Sequence, residues 1–121
     1  MARDRYISVR YRVIPTPLFT RHAKDLFKRF PSLKDELKKF FTVLEKNGPQ
    51  GDRLRRIPSL WKARLGLKSH ALGKSSGFRI ITSHSGGEHI YPVLIYFKGD
   101  MDNPSDDLLM RAILSVDSFS S

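Results

Sequence analysis

The chain has 121 residues, with 22 lysines and arginines against 12 aspartates and glutamates, a formal charge of +10 and no cysteine. Such a length suits one domain. The 40% hydrophobic and 11% aromatic content suffices for one core and excludes a disordered basic tail, and the absence of cysteine excludes a disulfide framework or a thiolate metal site.

Met-Ala-Arg-Asp-Arg at the N-terminus leads into an alternating segment and not an apolar stretch, so no signal peptide is expected. No run approaches the roughly 18 apolar residues of a membrane span, and the expected location is the cytoplasm. From Tyr6 to Ile14, Ile7, Val9, Tyr11 and Val13 alternate with Ser8, Arg10 and Arg12, the period of a half-buried strand. Thr16 before Pro17 reads as a helix cap with proline at the first helical position, and Phe19, Ala23, Leu26, Phe27 and Phe30 follow at helical spacing. Pro31 ends that helix. Ser32 is the expected cap of a second, whose stripe is Leu33, Leu37, Phe40, Phe41 and Leu44 and whose stop is Asn47-Gly48-Pro49. Both aromatic stripes read as core.

After a Gly-Pro-Gln-Gly-Asp loop, Leu60 to Leu65 reads as a strand with Trp61, Ala63 and Leu65 on one face and Lys62 and Arg64 on the other. Leu72 to Gly77 is a loop, Phe78 to His84 a strand, Ser85-Gly86-Gly87 a hairpin turn, and His89 to Phe97 a strand apolar on both faces and therefore central. Asn103 and Pro104 open a last helix with Asp106 and Asp107 in its first turn, where carboxylates suit the dipole. The order β-α-α-β-β-β-α predicts one α+β domain over 1–121, with a curved, mainly antiparallel sheet packed on the two N-terminal helices.

The positive charge is concentrated. Between Asp52 and Glu88 there is no acidic residue, yet Arg53, Arg55, Arg56, Lys62, Arg64, Lys68, Lys74 and Arg79 all fall there. Solvated surfaces usually mix their signs, and although long basic side chains can simply cover a small core, eight without a carboxylate favour an anion-binding face. If the strands at 60–65 and 78–84 are neighbours, Lys62, Arg64, Lys74 and Arg79 line one surface. Arginine engages phosphate bidentately, and lysine supplies a mobile point charge. The cluster can either bind a phosphate backbone or neutralise the charge of a phosphorane-like transition state.

Metal chemistry is not expected. His22, His70, His84 and His89 show no i, i+4 pairing, and the carboxylates lie outside the cationic stretch in sequence. Gly73-Lys74-Ser75 resembles the end of a P-loop, but position 68 is Lys68 where that motif requires glycine. No cofactor is expected. RNA suits such a site, because its 2′-hydroxyl attacks the adjacent phosphate once charge stabilisation and proton transfer are supplied. His70, His84 and Tyr96 are candidate participants, each with a plainer reading as a surface or core residue.

Trp61-Lys62-Ala63-Arg64, the Gly73 to Ile81 segment (Gly-Lys-Ser-Ser-Gly-Phe-Arg-Ile-Ile) and Ile95-Tyr96-Phe97-Lys98-Gly99-Asp100 together resemble the RelE/ParE toxin superfamily, in its HigB-like branch, over about residues 20 to 115. The resemblance implies a type II toxin that enters the ribosomal A site, contacts mRNA and 16S ribosomal RNA, cleaves translated mRNA without metal, and is silenced by a cognate antitoxin. By position it assigns Lys62, Arg64, Lys74, Arg79 and Lys98 to the family's basic surface and Arg79 to the scissile phosphate. Lys62 and Lys74 are candidate bases, and Arg53, Arg55, Arg56, Lys68, His70, His84 and Tyr96 are candidate RNA contacts. Two departures are visible. Ser76 and Phe78 replace a glycine and a tyrosine, and Thr82 and Ser83 stand where a tyrosine is common, which leaves either His84 as the candidate stacking group or a reduced activity. The alternatives are a ParE-like inhibitor of DNA gyrase on the same fold and a non-catalytic RNA-binding module.

Overall fold

Thr16 and Pro17 start the first helix as their residue types dictate. The Thr16 hydroxyl accepts from the Phe19 N–H at 3.3 Å and proline takes the first turn of α1 (Pro17–Arg29). The computed structural model describes residues 10–120, with side chains as far as residue 117. α1 ends where the Phe30 N–H bonds the Leu26 carbonyl at 2.8 Å, just before Pro31. α2 (Leu33–Asn47) differs at its start from the sequence expectation, because Ser32 has helical backbone angles and makes no side-chain cap. Its hydroxyl instead meets the Ser69 hydroxyl at 2.5 Å. The first α2 amides are satisfied by the connection itself, Leu33 N–H by the Phe30 carbonyl at 3.0 Å and Lys34 N–H by that of Pro31 at 3.4 Å. α2 closes at Gly48, whose positive φ of 89° and contact with the Tyr11 ring leave little space for a side chain.

Five strands follow the sheet order β1-β5-β4-β3-β2: β1 (Arg12–Val13), β2 (Asp52–Arg53), β3 (Leu60–Leu65), β4 (Phe78–Ser83) and β5 (His89–Phe97). β3, β4 and β5 form the expected antiparallel meander, and β5 lies inside the sheet as its two apolar faces required. Two features depart from expectation. β1 pairs with β5 in parallel, which makes the sheet mixed, and β2 arises from the Gly-Pro-Gln-Gly-Asp segment read as loop. The expected strand from Tyr6 survives at Arg12–Val13, its portion from Tyr6 to Val9 lying outside the described residues. Pro92 is tolerated in an inner strand because the register shifts there. Ile81 pairs with Leu94 and Thr82 with Pro92, so Val93 is an extra residue at a bulge.

The sheet separates two cores. On one face Phe19, Ala23, Leu26 and Phe30, then Leu33 and Leu37 of α2, pack on Phe78, Ile80 and Ile95. On the other, α3 (Asp106–Ser120) lays Leu108 and Ala112 over Leu60, Ile81, Leu94 and Tyr96. Ser105 caps α3, accepting from the Leu108 N–H at 3.1 Å. The third helix therefore covers the face that α1 and α2 leave open. Among the described residues no helix is long and apolar enough to cross a membrane.

Candidate functional site

β2 pairs only with Lys62 and Trp61, so Arg64 and Leu65 have no strand partner on the outer side of β3. A cleft of about 760 Å³ opens along that edge. Lys62 and Arg64 of β3, Lys74 of the following loop, Arg79 of β4 and Lys98 just past β5 all line it. These are the five residues that sequence and resemblance had grouped. The register explains much of the convergence, since Arg64 pairs with Arg79 and Arg79 with Tyr96, and directly paired residues share a sheet face.

Arg79 has an environment that sequence alone did not reveal. Only 6% exposed, its Nη1 donates to the carbonyls of Lys74 at 2.9 Å and Phe78 at 3.3 Å, and its Nη2 to that of Ser75 at 3.1 Å. The Gly73–Gly77 loop is thus wrapped around a guanidinium, with its carbonyls inward and the exposed Lys74 side chain on the cleft. Of the five N–H donors of arginine, Nε–H and one on Nη2 lack an acceptor among the described residues. The Ser76 hydroxyl accepts from the Gly73 N–H at 3.1 Å and tightens the same loop.

Gly77 lets this loop close. A Cβ there would lie 2.2 Å from the Leu65 carbonyl oxygen and 2.9 Å from that of Gly73. Gly77→Ala must move backbone, and we expect it to cost about 2 kcal/mol or more of stability. Chemical denaturation checks this, and an unchanged midpoint would show that the close approach carries no such cost.

The electrostatics of the cleft are mixed. Glu36 and Asp52 also line it, as does Lys39, so carboxylates remote in sequence from the cationic stretch return through α2 and β2. Six cationic side chains still face two carboxylates. Lys39 bridges Glu36 at 3.3 Å and Lys98 bridges Asp102 at 3.2 Å, whereas Lys62, Arg64 and Lys74 have no salt bridge among the described residues. Tyr96 lies beside Arg79 on the same face, 4% exposed, with its hydroxyl lacking a hydrogen-bond partner among the described residues. Burial raises its pKa above that of an ordinary phenol, with Asp102 adding to the rise and Arg79 opposing it. The phenol therefore keeps its proton at neutral pH.

The remaining sequence candidates are dispersed. Arg53 stacks over Trp61 at 5.2 Å, and Arg56 pairs with Asp106 at 3.1 Å at the foot of α3. Arg55 and Arg56 line a separate hollow with Ile57, Pro104 and Leu109. Lys68 and His70 belong to a 3-10 turn, Lys68–His70, where the imidazole packs edge-on to Phe30 at 5.0 Å. His84 follows the far end of β4, five residues or about 16 Å from Arg79, and holds the Gly87 carbonyl at 2.9 Å. It does not line the cleft. Thr82 is 1% exposed and pairs with Trp61, so a tyrosine at that position would not front the cleft.

Of the α2 residues that line the cleft, Glu36, Lys39, Phe40 and Val43, sequence reasoning missed all but Phe40, which it read only as core. Their i, i+3, i+4, i+7 spacing was the available signal, a second face of the helix beside the core stripe. Among the described residues no three histidine, aspartate or glutamate side chains gather as a metal site. What the arrangement offers chemically is a dense, partly unpaired positive field beside a neutral buried phenol. No protein-family model, curated protein or solved structure matches the chain.

Proposed function

We propose that this chain is the toxin of a type II toxin-antitoxin pair, a ribosome-dependent endoribonuclease that acts in the cytoplasm on translated mRNA. The observation that supports it best is the convergence of Lys62, Arg64, Lys74, Arg79 and Lys98 on one cleft, with four of these cations free of carboxylate partners among the described residues. In the reaction proposed, a 2′-hydroxyl attacks the adjacent phosphorus, its proton passing to a base, and the P–O5′ bond breaks as O5′ takes up a proton. The products are a 2′,3′-cyclic phosphate and a 5′-hydroxyl. Lys62 or Lys74 is the candidate base, and the other stabilises the charge that gathers on the phosphoryl oxygens. The family resemblance supplies the ribosome, the 16S ribosomal RNA contact and an antitoxin partner, which would need to cover the same positive face.

A second reading, an RNA-binding module without catalysis, is favoured by one observation. Among the described residues no histidine lines the cleft, so none of its lining side chains ordinarily titrates near neutrality. Expression of the chain in a bacterium, with 5′ ends of translated transcripts mapped, separates the two. New ends carrying 5′-hydroxyls, together with growth arrest, are expected of the nuclease. Growth arrest with no new ends would remove the nuclease reading.

A further inference from the structure

The cleft has two unlike walls. One carries the cations of β3, the Gly73–Gly77 loop and the end of β5. The other is the outer face of α2, where Phe40 and Val43 line the cleft together with Ala63 and Leu65. Phe40 is half-buried and has two contacts at once, packing inward against the core of α1 and α2 and lining the cleft outward. Val43, one turn on, is 37% exposed and is one of three large hydrophobic side chains so exposed among the described residues. Core packing accounts for the inner side of the Phe40 ring but not for an apolar surface in a cleft whose other wall carries five cations.

From this pairing of walls we infer that Phe40, backed by Val43, seats one nucleobase of a single-stranded RNA whose phosphates lie on Lys62, Lys74 and Lys98. The inference rests on the RNA reading proposed above and extends it from the phosphate to the base. A base stacked on an aromatic ring with its backbone in a cationic groove is the general mode of single-strand binding. A duplex keeps its bases stacked inside and offers no face to Phe40. The cleft volume of about 760 Å³ is in the range of small-ligand sites and suits one or two nucleotides, not a helix. The strand crosses the free edge of β3 at Arg64, which joins the two walls. Stacking needs only a π-face, so the seat accepts any base.

The test compares three probes of equal length on the full chain: a 2′-O-methyl RNA oligonucleotide that cannot be cleaved, the same backbone with abasic sites, and inorganic polyphosphate. Phe40→Leu keeps apolar volume against the core, and Phe40→Tyr keeps the ring. We expect Phe40→Leu to weaken the base-bearing oligonucleotide about tenfold or more while the abasic and polyphosphate affinities and all three salt slopes stay unchanged. Phe40→Tyr should retain the preference for bases. Equal losses on all three probes would show that Phe40 only packs. Wild-type binding of abasic and base-bearing strands with one affinity would overturn the base seat and leave the anion cleft intact. Failure of the wild type to bind any probe would remove the RNA reading and the base seat with it.

Discussion

Under the proposed nuclease function, replacing Lys62 and Lys74 together by alanine should slow cleavage of ribosome-bound mRNA by at least about 10³-fold, since one preorganised stabiliser of transition-state charge is typically worth 10²- to 10³-fold. These two are the side chains on which the effect should be greatest. Both line the cleft and neither spends its charge on a carboxylate among the described residues. Neither makes a side-chain hydrogen bond there, so the loss should not come through unfolding. Lys98→Ala should cost less, because Asp102 already shares that charge at 3.2 Å. Single-turnover cleavage at fixed salt, beside affinity for an uncleavable strand, separates chemistry from binding. Each lost phosphate contact lowers the salt slope by about 0.7 for a single strand. A double variant within tenfold of wild type would mean that the cationic wall is not the catalytic element.

Much of this candidate site is legible in the sequence, and the reason lies in strand geometry. Alternation in Leu60 to Leu65 put Lys62 and Arg64 on one face, and the strand pair β3–β4 then brought Arg64 beside Arg79. A period of two is readable from residue types alone, and short antiparallel connections leave few alternative pairings. The surroundings of each charge were not legible, because they depend on contacts remote in sequence. Glu36 and Lys39 reach the cleft only because α2 crosses the sheet beside the edge of β3. Ser32 reads as a helix cap by type, yet its hydroxyl is taken by Ser69, 37 residues away. β2 and the parallel pairing of β1 were missed for a related reason. Two-residue strands carry no period, and their pairing is fixed by neighbours across the sheet.

Arg79 is where the resemblance and the geometry assign different work, and a double-mutant cycle distinguishes them. The resemblance places its guanidinium on the scissile phosphate. In the structure Arg79 holds the carbonyls of Lys74, Ser75 and Phe78, so it also fixes where Lys74 stands. Arg79→Ala leaves those carbonyls without their charged donor, and hydrogen bonds to charged groups are worth about 1.5–3 kcal/mol each. The loop should loosen and take the Lys74 ammonium out of register with Lys62. Loop fastening therefore predicts that Lys74→Ala costs little further in an Arg79→Ala background, within about threefold on the rate, because the two changes remove one shared contribution. Independent phosphate contact predicts that the two losses multiply. We expect the non-additive result, with Arg79→Lys recovering part of the activity by donating to the same carbonyls while retaining the charge. Thermal unfolding of each variant reports the folded fraction and keeps stability apart from rate. Full multiplicativity would place the Nε–H and the free Nη2–H directly on the phosphate and reduce the loop contacts to scaffolding.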